Sequence, residues 1–372
     1  MNDSRGDTTA PNGLVSLQAA VGSALAVAAK RGERIFVVGG IVRDLLMKRA
    51  VGDHDLDLVV EGDGTAFARD LSTVLGGALK AHAAFLTAKL SAPFSSCQGP
   101  APFLDEVDIA TARSETYERP GALPTVAPAP IERDLWRRDF SINAMALPLE
   151  AYEQHLRRSV AESSGLEQLV DPCGGCEALA SRTVSILHAA SFTDDPTRLF
   201  RAVRYCVRLG FELDNDTEGA FRNAVDRGAL ATISPRRVWN EAITSFDESC
   251  PRKTLAAFVE RGLFSHFRVI AAESMPRLAE AVDRLVTFRA YVEADVFSEA
   301  AKLLVVAVAS QSERAEIVKA TQEKKTLLIR AQGVAEGRIQ YADRSELLAA
   351  FGLLGTVDLR DSLCNALGVS VS

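Results

Sequence analysis

The stretch Phe36-Val-Val-Gly39-Gly40-Ile-Val-Arg43-Asp44, followed by Asp55-Leu-Asp57-Leu-Val-Val60, decides the reading of this 372-residue chain. The apolar run Ile35 to Val38 has strand length and β-branched side chains, and the double glycine at its end opens a helical pattern through Val42, Leu45 and Leu46. Glycine lets backbone amides approach an anion, and the helix start adds the positive end of its dipole. Arg43, one turn in, can contact phosphate oxygens. A triphosphate suits such a turn. In the second run Asp55 and Asp57 are two residues apart, so they project from one face of a strand that Leu56, Leu58, Val59 and Val60 predict to be largely buried. A hard divalent cation such as magnesium removes the repulsion between two such carboxylates while bridging phosphate oxygens. Asp53 has the same phase and is the alternative first carboxylate. Either element alone has an ordinary explanation, a tight turn or a solvated strand end. Their joint occurrence, in this order and close together, points to nucleotidyl transfer.

Composition sets the frame. The hydrophobic content of 47% and charged content of 24% are ordinary for a globular protein, and the length suggests two or three domains. A net charge of -7 argues against a uniformly basic nucleic-acid binder, although local basic clusters still form grooves on acidic proteins. Met1 to Gly13 reads as a loose polar tail, and Leu14 to Lys30 as an amphipathic first helix too interrupted to span a bilayer. No membrane association and a cytoplasmic location are expected. Six scattered cysteines are not a disulfide framework, and Cys173-Gly-Gly-Cys176 lacks the second half of a zinc site.

Strand-like and helix-like runs alternate through about Leu149, and helical periodicity dominates after Ser191. An α/β head followed by an all-α remainder is expected. The segment Tyr117 to Arg133 holds Pro120, Pro124, Pro128 and Pro130 and reads as a loop beside the active site.

Three further segments carry chemistry. Glu106-Val-Asp108-Ile-Ala-Thr-Ala-Arg113 reads as another strand, with Asp108 on the face opposite its apolar neighbours as a third carboxylate. In Asp134-Leu-Trp136-Arg137-Arg138-Asp139-Phe140-Ser141-Ile-Asn143-Ala144, running into a small-residue helical pattern, the arginines can grip phosphates. Asp139 or Asn143 can meet a ribose hydroxyl. In Ser191-Phe192-Thr193-Asp194-Asp195-Pro196-Thr197-Arg198, Thr193 or Asp194 can cap a helix with Pro196 in its first turn. Arg198, Arg201 and Arg204 then recur every three residues and spread over roughly 120° of one helix side. Asp195 and Arg198, one turn apart, can offer an acceptor beside a donor to the edge of a base. Cytosine and adenine match that order and uracil and guanine reverse it, so such a pair accepts C and A.

These motifs together resemble the class II tRNA nucleotidyltransferase and bacterial poly(A) polymerase family, within the DNA polymerase beta-like nucleotidyltransferases. The resemblance runs from about Phe36 to Glu241 and rests on five motifs in order. They are Gly39-Gly40-Ile-Val-Arg43-Asp44 with Asp55-Leu-Asp57, Arg137-Arg138-Asp139-Phe-Ser-Ile-Asn143-Ala, Asp171-Pro-Cys-Gly-Gly, Asp194-Asp195-Pro-Thr-Arg198 and Ser234-Pro-Arg-Arg-Val-Trp-Asn-Glu241. Asp194 stands where the family often has Glu, and Ser141 where it often has Thr.

The resemblance implies an α+β protein. A mixed-sheet nucleotidyltransferase head over 31–150 follows a tail and first helix over 1–30, and precedes an all-α neck over 151–246 and a helical, RNA-binding body and tail over 247–372. It implies metal ligands at Asp55 and Asp57 with Asp108 as third carboxylate, and triphosphate and sugar contacts from Gly40, Arg43, Arg138 and Asp139. It also implies base templating by Asp195 and Arg198, supported by Arg201 and Arg204. The expected activity is magnesium-dependent, template-independent addition of CCA to tRNA from CTP and ATP, releasing pyrophosphate. CC-only addition, A-only addition and poly(A) synthesis are the nearest alternatives, and a catalytically silent RNA-binding module is the rival of another class.

Overall fold

The structure is a computed structural model and describes residues 15–49, 56–94, 103–157, 166–337 and 344–367. It divides into two compact units, one of 1–119 with 123–189 and the other of 120–122 with 190–372. The division falls inside the stretch that the sequence assigns to a neck.

The first unit is built on six strands. A two-residue strand β1 (Val15–Ser16) leads into α1 (Leu17–Arg31), and β2 (Arg34–Val38) runs into the glycine turn and α2 (Gly40–Leu46). Next come β3 (Leu56–Glu61), α3 (Gly64–Leu75), β4 (Gly76–His82), β5 (Thr87–Phe94), β6 (Phe103–Leu104) and β7 (Glu106–Thr111). A hairpin of β8 (Arg113–Thr116) and β9 (Thr125–Pro128) precedes α4 (Ile131–Trp136), and β10 (Ala146–Pro148) precedes α5 (Leu149–Arg157) and α6 (Gly175–Ser181). The sheet order is β10-β2-β3-β7-β5-β4, with β3 and β7 parallel and the other neighbours antiparallel.

Period-2 alternation divides the sheet into two faces. Ile35, Val37, Leu58, Val60, Leu90, Val107 and Ile109 pack on α1, α3 and α5 in the main core, which Val21, Phe67, Leu71 and Tyr152 complete. Phe36, Val38 and Val59 point the other way and join Ile131, Leu135 and Ala146 in a smaller cluster at one end. The rest of that second face stays open, and the charged strand residues project from it.

Two local expectations differ from the structure. The proline-rich segment is not wholly loop: among the described residues Thr125–Pro128 pairs with β8 alone, and an edge strand tolerates proline because one side donates nothing to a ladder. The small-residue run after Asp139 is a single 3-10 turn, Ser141–Asn143, followed by β10, because Ala146 and Leu147 complete the sheet beside β2. Pairing overrides the helical pattern.

The second unit is helical, with α7 (Ser191–Asp194), α8 (Thr197–Leu209), α9 (Asn215–Asp226), α10 (Pro235–Thr244), α11 (Pro251–Glu260) and α12 (Met275–Val286). It continues through α13 (Ala294–Val308), α14 (Gln311–Ala320), α15 (Lys325–Glu336), α16 (Arg344–Leu354) and α17 (Val357–Leu367). Phe200, Phe258 and Phe264 form one aromatic cluster of its core. Among the described residues no helix is long and apolar enough to cross a membrane.

Candidate active site

The glycine turn is shaped by Gly39, whose φ of 72° and ψ of -131° are open to glycine and strained for other residues. A Cβ there would stand 3.6 Å from both Arg138 Nη1 and Asp57 Oδ2, so the turn, one guanidinium and one carboxylate meet at a single point. Asp57 on β3 and Asp108 on β7 are register partners across the parallel strand pair, which sets the two carboxylates side by side on the open face. Asp55 and Asp53 lie outside the described residues. Asp57, Asp108, Arg138, Lys80, His82 and Lys89 line a cleft of about 580 Å³ on this face.

Lys89 is opposite Asp108 on β5, with Nζ 3.5 Å from Asp108 Oδ2 and 2.5 Å from Glu106 Oε2. Burial pushes the Asp108 carboxyl up, Lys89 opposes that shift and Glu106 adds to it. Asp57 and Asp108 are hard oxygen donors on adjacent strands facing an open cleft, a donor set that suits magnesium. Among the described residues no group of three metal-ligating side chains is present.

Arg138 is aimed by Asp134, a fully buried carboxylate within α4. Asp134 Oδ2 accepts from Arg138 Nη2 at 3.0 Å, and Oδ1 accepts from Arg137 Nη2 at 2.7 Å and from the Arg113 backbone N–H at 3.1 Å. Burial alone would raise the Asp134 carboxyl, but Arg138 and Arg137 outweigh it and hold it below its ordinary value. No role for Asp134 is visible in the sequence, since a carboxylate near two arginines also fits a solvated helix end.

The structure does not bring every expected residue to the cleft. Arg43 is 4% exposed, donating from Nε and Nη2 to the two Asp44 oxygens and from Nη1 to Asn143 Oδ1 at 2.9 Å. Asn143 Nδ2 in turn donates to Asp139 Oδ1 at 3.2 Å. These three, expected at phosphate and ribose, form a buried chain behind the glycine turn, because a buried guanidinium has to be paired. The Asp171-Pro-Cys-Gly-Gly motif is structural here: Asp171 accepts from the Gly175 and Cys176 N–H groups at 2.7 and 2.9 Å and caps α6. A Cβ on Gly175 would meet Ser141 O and Met145 at 2.6 Å. Burial pushes the Cys173 thiol up to about 11.

The cluster Ser191 to Arg204, expected to select the nucleotide, lies in the second unit. Asp195, rather than Thr193 or Asp194, caps α8: its Oδ1 accepts from Thr197 N at 3.1 Å and Thr197 Oγ1 at 2.7 Å, while Thr193 and Asp194 fall within α7. The same oxygen accepts from Arg237 Nη2 at 2.6 Å. Arg198 is buried and donates to Ser191 Oγ at 2.7 Å, and Arg201 donates to Tyr205 Oη at 3.1 Å. Arg204 pairs with Glu241 at 2.9 Å. Burial raises the Glu241 carboxyl, against Arg204 and Arg201. On this side of α8, Arg198 and Arg204 are buried, Arg201 is half-buried, and Arg204 is ion-paired. Arg237 and Glu241 sit in the Ser234–Glu241 motif, but nothing in its local pattern says which carboxylate or guanidinium they meet.

Residues 35–185 match the family model of the Poly A polymerase head domain, and 210–282 match that of a probable RNA and SrmB-binding site of polymerase A. Over 256 residues the chain is 36% identical to the A-adding tRNA nucleotidyltransferase of Geobacter sulfurreducens, covering 68% of this chain and 26% of that protein. Over 218 residues it is 41% identical to the A-adding tRNA nucleotidyltransferase of Halalkalibacterium halodurans, covering 58% and 45%. The chain thus spans less than half the length of these two relatives. A solved CCA-adding enzyme, apo form II, is similar over 95% of this chain and 83% of its own, with a TM-score of 0.67 and 25% identity.

Proposed function

We propose, for a chain that belongs to the class II tRNA nucleotidyltransferase and poly(A) polymerase head family, that it transfers AMP from ATP to the 3′ end of a tRNA. The observation that carries the reaction type is the register of Asp57 with Asp108 beside the Gly39 turn and Arg138. The choice of ATP leans on the A-adding relatives. In the step, the RNA 3′ oxygen attacks the α-phosphorus, the bond to the bridging oxygen breaks, and pyrophosphate leaves while water takes the hydroxyl proton. Asp57 and Asp108, with Asp55, would hold magnesium. When bound, the metal stabilises the charge that develops on phosphate oxygens and lowers the pKa of the attacking hydroxyl. Arg138, held by Asp134, neutralises the leaving group. Asp195 and Arg198 read the base edge, and Arg43, Asp139 and Asn143 support the turn from behind.

Full CCA addition from CTP and ATP is the second reading. It is favoured by the Asp195 and Arg198 pair, whose acceptor and donor suit cytosine as well as adenine, and by the likeness to a CCA-adding enzyme. Purified protein with magnesium is given tRNAs ending at the discriminator base, at C and at CC, with CTP, ATP or both, and products are separated on a sequencing gel. Extension of the CC-ended tRNA alone, by one A, supports the first reading, and completion of all three supports the second. A long A ladder would assign poly(A) synthesis, addition stopping at CC would assign CC addition, and no incorporation would leave an RNA-binding module.

A further inference from the structure

One row of the head sheet extends past the carboxylates. Register pairs Asp57 with Asp108, Asp108 with Lys89 and Lys89 with Lys80, so four side chains from β3, β7, β5 and β4 follow one another on the open face. His82, two residues beyond Lys80, is on the same face. All five line the same cleft.

The row is electrostatically lopsided. Like charges directly opposite in an antiparallel pair are destabilising, and Lys80 opposite Lys89 is such a pair. Glu106 and Asp108 offset Lys89, while Lys80 is exposed and ion-pairs with no carboxylate among the described residues. An anion in the cleft would relieve this. Two anions are available in the proposed reaction, the nucleotide triphosphate and the RNA backbone. The triphosphate has its own cradle on the β2 side of Asp57, where Gly39 and Arg138 stand. In phosphoryl transfer the attacking and leaving oxygens lie roughly in line on opposite sides of phosphorus. The attacking RNA end therefore comes from the far side of the carboxylates, over β5 and β4.

We infer that Lys80 and Lys89, with His82 beside them, form a subsite for the phosphodiester backbone of the RNA acceptor next to its 3′ end. The inference rests on the nucleotidyl-transfer reading for the identity of the RNA. It adds which strands carry the acceptor and with which side chains. Lys80 is two strand spacings, roughly 10 Å, from Asp108, so it meets a phosphate behind the terminal nucleotide. Lys89, nearer the 3′ end, bridges the catalytic carboxylate and the backbone.

The test uses the full chain and a fluorescently labelled tRNA ending in CC, with binding followed over a salt series and KM measured separately for tRNA and ATP. Lys80→Gln is an exposed change that the fold tolerates. It is expected to weaken tRNA binding roughly fivefold and to make the log-log salt slope shallower by about 0.7, with the KM for ATP unmoved. Lys80→Arg is expected to bind like the wild type. A Lys80→Gln protein with unchanged tRNA affinity and salt slope would overturn the inference, as would one whose KM for ATP rises instead. Wild-type protein that binds tRNA but incorporates nothing would overturn the proposed reaction and leave the lysine subsite to be judged by binding alone.

Discussion

The Arg237 guanidinium donates to Asp195 Oδ1 at 2.6 Å, and through its other terminal nitrogen to the carbonyl oxygen of Gly121 at 3.0 Å. Gly121 also donates its backbone N–H to Asp194 O at 3.2 Å, so Arg237 is anchored while it orients the Asp195 carboxylate. With one Asp195 oxygen occupied by Arg237 and Thr197, the proposed base contact falls to the other. Arg237→Gln is expected to reduce the kcat/KM preference for ATP over GTP about tenfold, with Arg237→Lys intermediate, since a charge-assisted hydrogen bond contributes about 1.5–3 kcal/mol. Unchanged discrimination in steady-state kinetics would sink this role for Arg237.

Asp134 is the buried hub of the arginine pair behind the cleft. Asp134→Asn is expected to lower stability by about 3 kcal/mol, because Arg137 and Arg138 lose the charge that pairs them. Denaturant melts of the variant measure this directly.

The same carboxylate gives a pH signature. Its folded-state pKa lies below the unfolded one, so its stabilisation is fully present above the ordinary carboxylate range and is lost as pH falls through the folded value. Thermal midpoints of the wild type should drop below about pH 4, and Asp134→Asn should flatten that acid limb. Parallel acid limbs in the two proteins would assign the dependence elsewhere.

Asp57→Asn and Asp108→Asn each remove one donor from the paired carboxylates. Incorporation is expected to fall at least about 1000-fold while thermal midpoints stay near the wild type. A chelator should abolish wild-type incorporation and added magnesium should restore it. Robust activity in either variant would remove that residue from the metal site.

Gly39→Ala tests the turn. The added Cβ has room at 3.6 Å from its neighbours, so the cost is the backbone conformation, about 1–3 kcal/mol, together with a methyl group where the phosphates would approach. The KM for ATP should rise about tenfold while tRNA affinity is retained. A KM shift for tRNA instead would place the RNA, not the triphosphate, at the turn.

Much of the head was legible because its signals are local. The β-branched run into Gly39 and Gly40 specifies strand, turn and helix within a dozen residues, and alternation alone places Asp57 and Asp108 on faces opposite their apolar neighbours. The arginine series was legible as a helix side, but its solvation was not. Arg198 and Arg204 are buried because Ser191 and Glu241 are there to receive them.

By itself, then, the sequence determined the strand, turn and helix around Gly39 and the faces that Asp57 and Asp108 take, since backbone periodicity depends only on near neighbours, whereas β9 and β10, read as loop and helix, did not follow from it. Tertiary structure alone decided that β7 lies between β3 and β5, which puts Lys89 rather than another side chain against Asp108. It also sent Arg43 inward to Asn143, 100 residues away, and joined Arg237 to Asp195, 42 residues away. The physical reason is common to all three. Strand order and buried charge pairing are chosen by long-range packing and desolvation, whose terms involve residues that no local window contains.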